Sequence, residues 1–290
     1  MFRLLVPLVL TLSIAAGVFA QAPAPLTAPS TSSSAVGDLL IAPTRLVLEG
    51  SRRSAEITLV NIGTTPATYR ISLTHLRMKK DGTVEEFTDP ASNDHVADSL
   101  IRFSPRQVTL QPRIAQVVRI QIRKPADLPP GEYRSHLLFR GVPPTEEASA
   151  PGEEPKALSI RLIPVYGVSI PLIVRNGETA VRSTLRDLLL MPGEQGKAQF
   201  YLQVTLNREG NRSVYGNVRV TAVRNDAEVP VGALDGVAVY EDVPSRSVLI
   251  PLNPDKDVRL NGTRLRVAYY DAEKDETEER VLAEAVLDVP

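Results

Sequence analysis

The 290-residue sequence predicts an all-β fold arranged as two β-sandwich domains. Three observations lead there. Short runs rich in β-branched and apolar residues recur between clusters of Gly, Pro, Asn and Asp, the residues that tight turns require. Within those runs apolar and polar residues alternate at period two, as a half-buried strand demands. No stretch carries a convincing 3.6-residue amphipathic period, so helices have little part in the fold.

The chain opens with Arg3, an apolar run from Leu4 to Ile14 and small residues ending in Val18, Phe19 and Ala20. This is the layout of a secretory signal peptide, 1–20, cleaved after Ala20. The run is too short to cross a bilayer, which takes about 20 apolar residues, and no later segment qualifies; a soluble exported chain with no membrane insertion is expected. Residues 21–36, QAPAPLTAPSTSSSAV, have no periodicity and read as a disordered Pro/Ala/Ser leader. The chain has no cysteine, which excludes disulfides, thiolate metal sites and cysteine nucleophiles. An exported protein of this kind is held by its core alone. At 43% hydrophobic residues, the roughly 270 residues left after cleavage suffice for two ordinary domains.

The first domain, 37–177, contains the runs Leu39 to Leu48, Ala55 to Asn61, Thr68 to Leu76, Ile101 to Leu110, Ala115 to Arg123, Tyr133 to Phe139 and Leu158 to Arg175. Turn residues separate them, among them Glu49-Gly50, Gly63-Thr64-Thr65-Pro66, Lys80-Asp81-Gly82, Gln111-Pro112 and Pro129-Pro130-Gly131. Strands at this spacing match an immunoglobulin-like sandwich, which can form without its disulfide. Ile57, Leu59, Tyr69, Ile71 and Leu73 fall on one face and Glu56, Thr58, Arg70, Ser72 and Thr74 on the other. One face is core and the other wet. Residues 142–156, VPPTEEASAPGEEPK, read as an acidic, proline-rich mobile loop.

The last run is the longest near-continuous apolar stretch of the chain, LSIRLIPVYGVSIPLIVR at 158–175. Its even positions, Leu158 through Val174, are all apolar, whereas Ser159, Arg161, Gly167, Ser169 and Arg175 interrupt the odd ones. Eighteen residues at roughly 3.3 Å each would reach close to 60 Å, far beyond the usual strand. Pro164 and Pro171 remove backbone donors, which places part of the strand at a sheet edge or a bend. Two readings remain at this point: an over-long core strand broken by proline, or an apolar edge offered to another chain. The second domain, 178–290, repeats the strand pattern from Val181 to Val289 with turns such as Pro192-Gly193, Asn225-Asp226 and Asn261-Gly262, and reads as a second β-sandwich.

Net charge is −1, which argues against nucleic acid as partner. Residues 21–177 hold 18 basic against 15 acidic side chains and 178–290 hold 14 against 19, so neither half is strongly charged. The basic run Arg102, Arg106, Arg113, Arg119, Arg123 and Lys124 reads as a solvated strand face. His75, His95 and His136 lack metal-ligand spacing, and no nucleophile elbow, phosphate loop or zinc-protease motif occurs. No catalytic group, metal or cofactor is expected.

Several segments stand in an order that carries a resemblance: PTRLVLEGSRRSAEITLVN at 43–61, FSPRQVTLQPRIAQVVRI at 103–120, PPGEYRSHLLFRGVP at 129–143 and the long strand ending at Arg175. Over about residues 38–177 the chain resembles the periplasmic pilus-assembly chaperones, the PapD-like family. The resemblance implies two immunoglobulin-like sandwiches in a boomerang arrangement and a non-enzymatic periplasmic role. It implies that the long strand is lent to a pilus or fimbrial subunit lacking a strand, for delivery to an outer-membrane usher. Ladder hydrogen bonds would hold the subunit, and Leu158, Ile160 and Leu162, with Pro164 and Tyr166, would fill its groove. Arg45, in Pro-Thr-Arg, matches an arginine that binds the subunit's terminal carboxylate, while the accompanying lysine position falls at Pro171. Arg175 matches an interdomain ion-pairing arginine, with Glu132 of Glu132-Tyr133-Arg134-Ser135 as its partner candidate. A free edge strand would also support self-dimerisation. The alternative is a secreted structural or adhesive protein of two such domains, in which the long strand is core.

Overall fold

Prolines decide where the strands of the first half break. The computed structural model describes residues 38–91, 94–143, 165–193, 198–224, 227–254, 259–273 and 280–290, all within one compact unit spanning 34–290. The first half contributes β1 (Leu39–Ala42), β2 (Leu46–Leu48), β3 (Ser54–Asn61), β4 (Ala67–Met78), β5 (Val84–Phe87), β6 (Ile101–Ser104), β7 (Gln107–Leu110), β8 (Ala115–Ile122), β9 (Gly131–Val142) and β10 (Gly167–Asn176). Two runs expected to be single strands are each two. At Pro43 the chain leaves β1, which pairs antiparallel with β3, and enters β2, which pairs parallel with β10 in the opposite sheet. At Pro105 it passes likewise from β6, paired with β8, to β7, paired with β4. A residue without an N–H cannot continue a ladder, so the crossing between sheets falls there. Glu85 and Glu86 lie in β5, an exposed strand at the edge of its sheet.

The result is a sandwich of one sheet ordered β1-β3-β8-β6 and a second ordered β2-β10-β9-β4-β5, with β7 also on β4. The core follows the period-two pattern: Ile57, Leu59, Tyr69, Ile71, Val118, Ile120, Leu137 and Phe139 are buried between the sheets. Among the described residues the one helical piece is a 3-10 turn at Asp98–Leu100.

The second half is built differently from the two-sheet sandwich. Strands β11 (Val181–Pro192), β12 (Phe200–Gly210), β13 (Val214–Arg224), β14 (Ala227–Val239), β15 (Ser245–Leu252), β16 (Arg264–Asp271) and β17 (Val281–Asp288) form one antiparallel sheet ordered β11-β12-β15-β14-β13-β16-β17. The sheet curls until its end strands β11 and β17 lie alongside each other. Bulges in β11, between Arg186 and Leu189, and in β13 supply the bending that a seven-stranded sheet needs to close on itself. Leu202, Val204, Val218, Val220, Ile250, Leu265, Val267 and Tyr269 fill the inside. β14 runs on through Gly236, which at φ 68° takes up an irregularity in its pairing with β13.

β10 ends the first half and is central to it over only part of its length. On one side it pairs with β9 from Gly167 to Asn176; on the other, β2 covers Leu172 to Val174 alone. Ile170, Leu172 and Val174 are buried in the first core, whereas Val168 is 43% and Tyr166 54% exposed. We therefore expect Leu172→Ala to destabilise the fold by about 2–5 kcal/mol. Val168→Ala, two rungs along the same face, should change stability by less than about 0.5 kcal/mol. Urea midpoints of the two variants test this, and equal losses would mean that the whole strand is core.

Candidate functional site

The pairing of β10, β9 and β4 lays out a face rung by rung. Gly167, Arg140 and Arg70 stand opposite one another, then Ser169, Leu138 and Ser72, then Pro171, His136 and Thr74. Ile173 with Arg134, and Arg175 with Glu132, complete it. Side chains of one rung share a face, so this is a continuous strip on the outside of the sheet. Its far end is covered by the second half: Ile173, with Met78, packs into the core of the curled sheet. Its near end is open, with Arg70 and Arg140 exposed. A groove of about 370 Å³ lies there, lined by Arg70, Ser72, Leu138, Arg140 and Val165 among others.

Beside this groove runs the bare edge of β10. Among the described residues nothing pairs with Gly167 to Pro171 on the side away from β9. Val165, Tyr166 and Val168 are exposed along it, and Pro171 stands one residue before the three that β2 covers. An apolar, unprotected edge is what soluble proteins avoid unless another chain pairs with it. Leu158, Ile160, Leu162 and Pro164 lie outside the described residues.

The covered end is an ionic junction. Arg175, 3% exposed, donates from Nε to Glu132 Oε2 at 3.0 Å and from Nη2 to Glu273 Oε1 at 2.9 Å. Arg45 Nη2 donates to the same Glu273 oxygen at 2.8 Å, and its guanidinium lies 4.5 Å from the centre of the Tyr215 ring. One carboxylate from the loop after β16 thus joins two arginines of the first half. Burial opposes the charge on Arg175, but Glu132 and Glu273 outweigh it and its pKa is raised. Burial likewise opposes ionisation of Glu273, and the charges of Arg175 and Arg45 outweigh it and hold the carboxyl below its ordinary value.

Tyr240 is the second tie. Arg134 stacks on its ring at 3.9 Å, His136 meets it edge-on at 6.5 Å, and Arg45 Nη1 donates to its hydroxyl at 3.3 Å. Arg134 also pairs with Asp242, which accepts from the Met78 amide at 2.8 Å. The turn between β4 and β5 docks too: the Ser247 amide donates to the Lys80 carbonyl at 3.0 Å. Gly82, at φ 84°, lies so close to the Arg246 guanidinium that a Cβ would stand 2.1 Å from Nε. A cavity of about 530 Å³ at this junction includes Arg77, Asp94, His95, Arg134, Glu241 and Asp242 in its lining. Arg77 pairs with Asp94 at 2.8 Å, and His95 Nδ1 lies 3.5 Å from Glu241 Oε2. Among the described residues no three His, Asp or Glu side chains gather to hold a metal ion, and no helix is long and apolar enough to cross a membrane.

Arg175 and Glu132, which sequence reasoning placed together, are in contact. Arg45, read there as a carboxylate binder, has its guanidinium on Glu273. Glu273, Tyr240, Asp242 and Arg246 were not singled out from sequence, because each comes from a loop or strand end with no motif of its own. Removing the shared carboxylate by Glu273→Ala leaves two buried guanidiniums short of a partner. We expect a loss of roughly 3–5 kcal/mol, read from urea midpoints at pH 7; a loss below 1 kcal/mol would show the junction to be solvated.

His136 sets a pH dependence. Burial first, then the charges of Arg134 and Arg45, push it from the ordinary 6.5 down to about 3. The folded chain keeps it neutral while the unfolded chain takes up a proton below 6.5. Its contribution to stability is thus complete above 6.5 and declines as pH falls toward about 3, by at most about 1.4 kcal/mol per pH unit. Glu273 acts in the same direction but at lower pH, whereas Glu241, raised by burial and by Glu132, favours the fold as pH falls. Between pH 6.5 and about 5 the wild type should lose stability, and His136→Gln should flatten that slope. An unchanged slope would locate the titrating group elsewhere.

No family model matches the chain, and no curated protein does. Among solved structures it is similar to the CupB2 chaperone of Pseudomonas aeruginosa, at 15% identity and a TM-score of 0.42 over 87% of this chain and 100% of that one. It is similar to a chain of the Salmonella enterica SafA pilin–SafB chaperone complex at 15% identity and a TM-score of 0.42, over 88% of this chain and 99% of that one. A third is a chaperone–tip adhesin complex of CFA/I fimbriae biogenesis, at 13% identity and a TM-score of 0.42 over 87% of this chain and 98% of that one.

Proposed function

We propose that this chain is a periplasmic chaperone that holds pilus or fimbrial subunits by lending them the open edge of β10. One observation carries the reading: the apolar even series runs past the end of its own core. Ile170, Leu172 and Val174 are buried, yet Val168 and Tyr166 continue the same face into solvent at an edge with no partner among the described residues. In sequence the series goes on through Pro164, Leu162, Ile160 and Leu158. A subunit short of one strand would complete its sheet on this edge, with ladder hydrogen bonds for affinity and the alternating side chains for register. Each large aliphatic side chain so buried contributes about 1.5–3 kcal/mol before ordering costs. The function needs no cofactor and no catalytic group. Any anchoring of the subunit's terminal carboxylate at Arg45 requires exchange with Glu273, which holds that guanidinium, and Pro171 offers no second cation.

The test is a pull-down from the source periplasm with tagged wild type, with Val168→Asp, and with the double variant Ile160→Asp, Leu162→Asp, each first checked for native circular dichroism. Burying a carboxylate without a partner is costly enough to abolish capture. We expect one small, β-rich exported protein to accompany the wild type and neither variant. Binding that ignores all three substitutions would sink the reading and favour a structural or adhesive two-domain protein.

A further inference from the structure

The open end of the strip carries a charge pattern that specifies what the added strand must look like. Arg70 and Arg140 stand directly opposite each other on β4 and β9, both exposed, and like charges so placed repel. Among the described residues neither has a carboxylate within ion-pairing distance. By contrast Arg119, 3.3 Å from its cross-strand neighbour Glu56, and Arg266, 2.8 Å from Glu228 two strands away, have acidic partners. The next residue in the Arg70–Arg140 rung is Gly167 of β10. With no side chain there, β10 itself places no group between Arg140 and a strand laid on the bare edge. Leu138 lies over Gly167, 3.1 Å from where its Cβ would be, and gives the channel an apolar wall.

A strand added to β10 sits about two strand spacings from Arg140, roughly 10 Å between backbones. A guanidinium and a glutamate or aspartate reaching toward each other bridge that gap. We propose that the partner strand carries an acidic side chain in the position facing Gly167, bound by Arg140 with Arg70 adding to the local positive potential. This rests on the reading that β10 lends its edge to another chain, and it adds the partner's chemistry: alternating apolar residues with one carboxylate on the opposite, outward face. The paired arginines then act as a register mark, since a slip of two residues along the edge would move the carboxylate out of reach.

The experiment is selection of displayed random 14-residue peptides on the immobilised full chain, counter-selected on Val168→Asp. Selected peptides that need Val168 and carry Asp or Glu at one fixed offset from their apolar positions are the expected result. Exchanging that residue for Lys should weaken binding by at least about threefold, and Arg140→Glu should reverse the preference. Val168-dependent peptides with no acidic preference would overturn this inference and leave the strand-lending reading standing. No Val168-dependent peptide at all would overturn both. A dimer in analytical ultracentrifugation that Val168→Asp dissolves would assign the edge to a second copy and also overturn the proposal.

Discussion

Arg175 is the residue the rest of this structure depends on. A guanidinium that is nearly free of solvent contact cannot stand uncompensated, and here it closes the buried end of β10 by pairing with Glu132 and Glu49 of the first half and with Glu273 of the second. Glu273, in turn, holds Arg45 at the strand that crosses between the first two sheets. Arg175, Glu132, Glu273 and Arg45, four charges from four segments, are thereby locked into one network. The lower end of β10 is pinned because its charge has nowhere else to go.

Pinning one end gives the other its character. From Leu172 to Val174 the strand is enclosed by β2 and β9, and below Leu172 it loses β2. The same alternation that buries Leu172 sends Val168 and Tyr166 into water. β10 is kept in register by its ladder with β9 from Gly167 to Asn176, by the three-residue ladder with β2 and by the ionic junction, so its open edge needs no further support. The enclosed and open parts of β10 are divided along its length at Pro171, which has no donor to give to a neighbour.

The strip on the outside of the same sheet is divided at the same place. Where the second half covers it, the residues are Ile173, His136 and Arg134, packed or stacked against Met78 and Tyr240. Where it is open, Ser72, Leu138 and two arginines with no acidic partner among the described residues line a shallow groove. The covered part explains why His136 remains neutral, since burial beside two arginines makes a further positive charge there costly.

Much of this was legible before any coordinates. The period-two pattern marked the strands and their buried faces, because alternation is a property of the chain itself: Ile57, Leu59, Tyr69 and Ile71 are inside as their spacing requires. Prolines at 43 and 105 were visible, but the sheet each strand would join was not, since pairing partners are chosen by contacts between segments far apart in sequence. The polar segment around Glu85 and Glu86 carries no strand pattern of its own for the same reason: β5 exists because β4 offers it an edge. Arg175 and Glu132 could be matched by motif, whereas Glu273 and Tyr240 sit in stretches that look like any other loop or strand end. By itself the sequence determined an all-β chain with an apolar strand too long for its domain. Only the tertiary structure decided where along that strand the core stops and which arginines are left facing solvent, because burial and charge pairing arise from the packing of one segment on another and not from the residues of either alone.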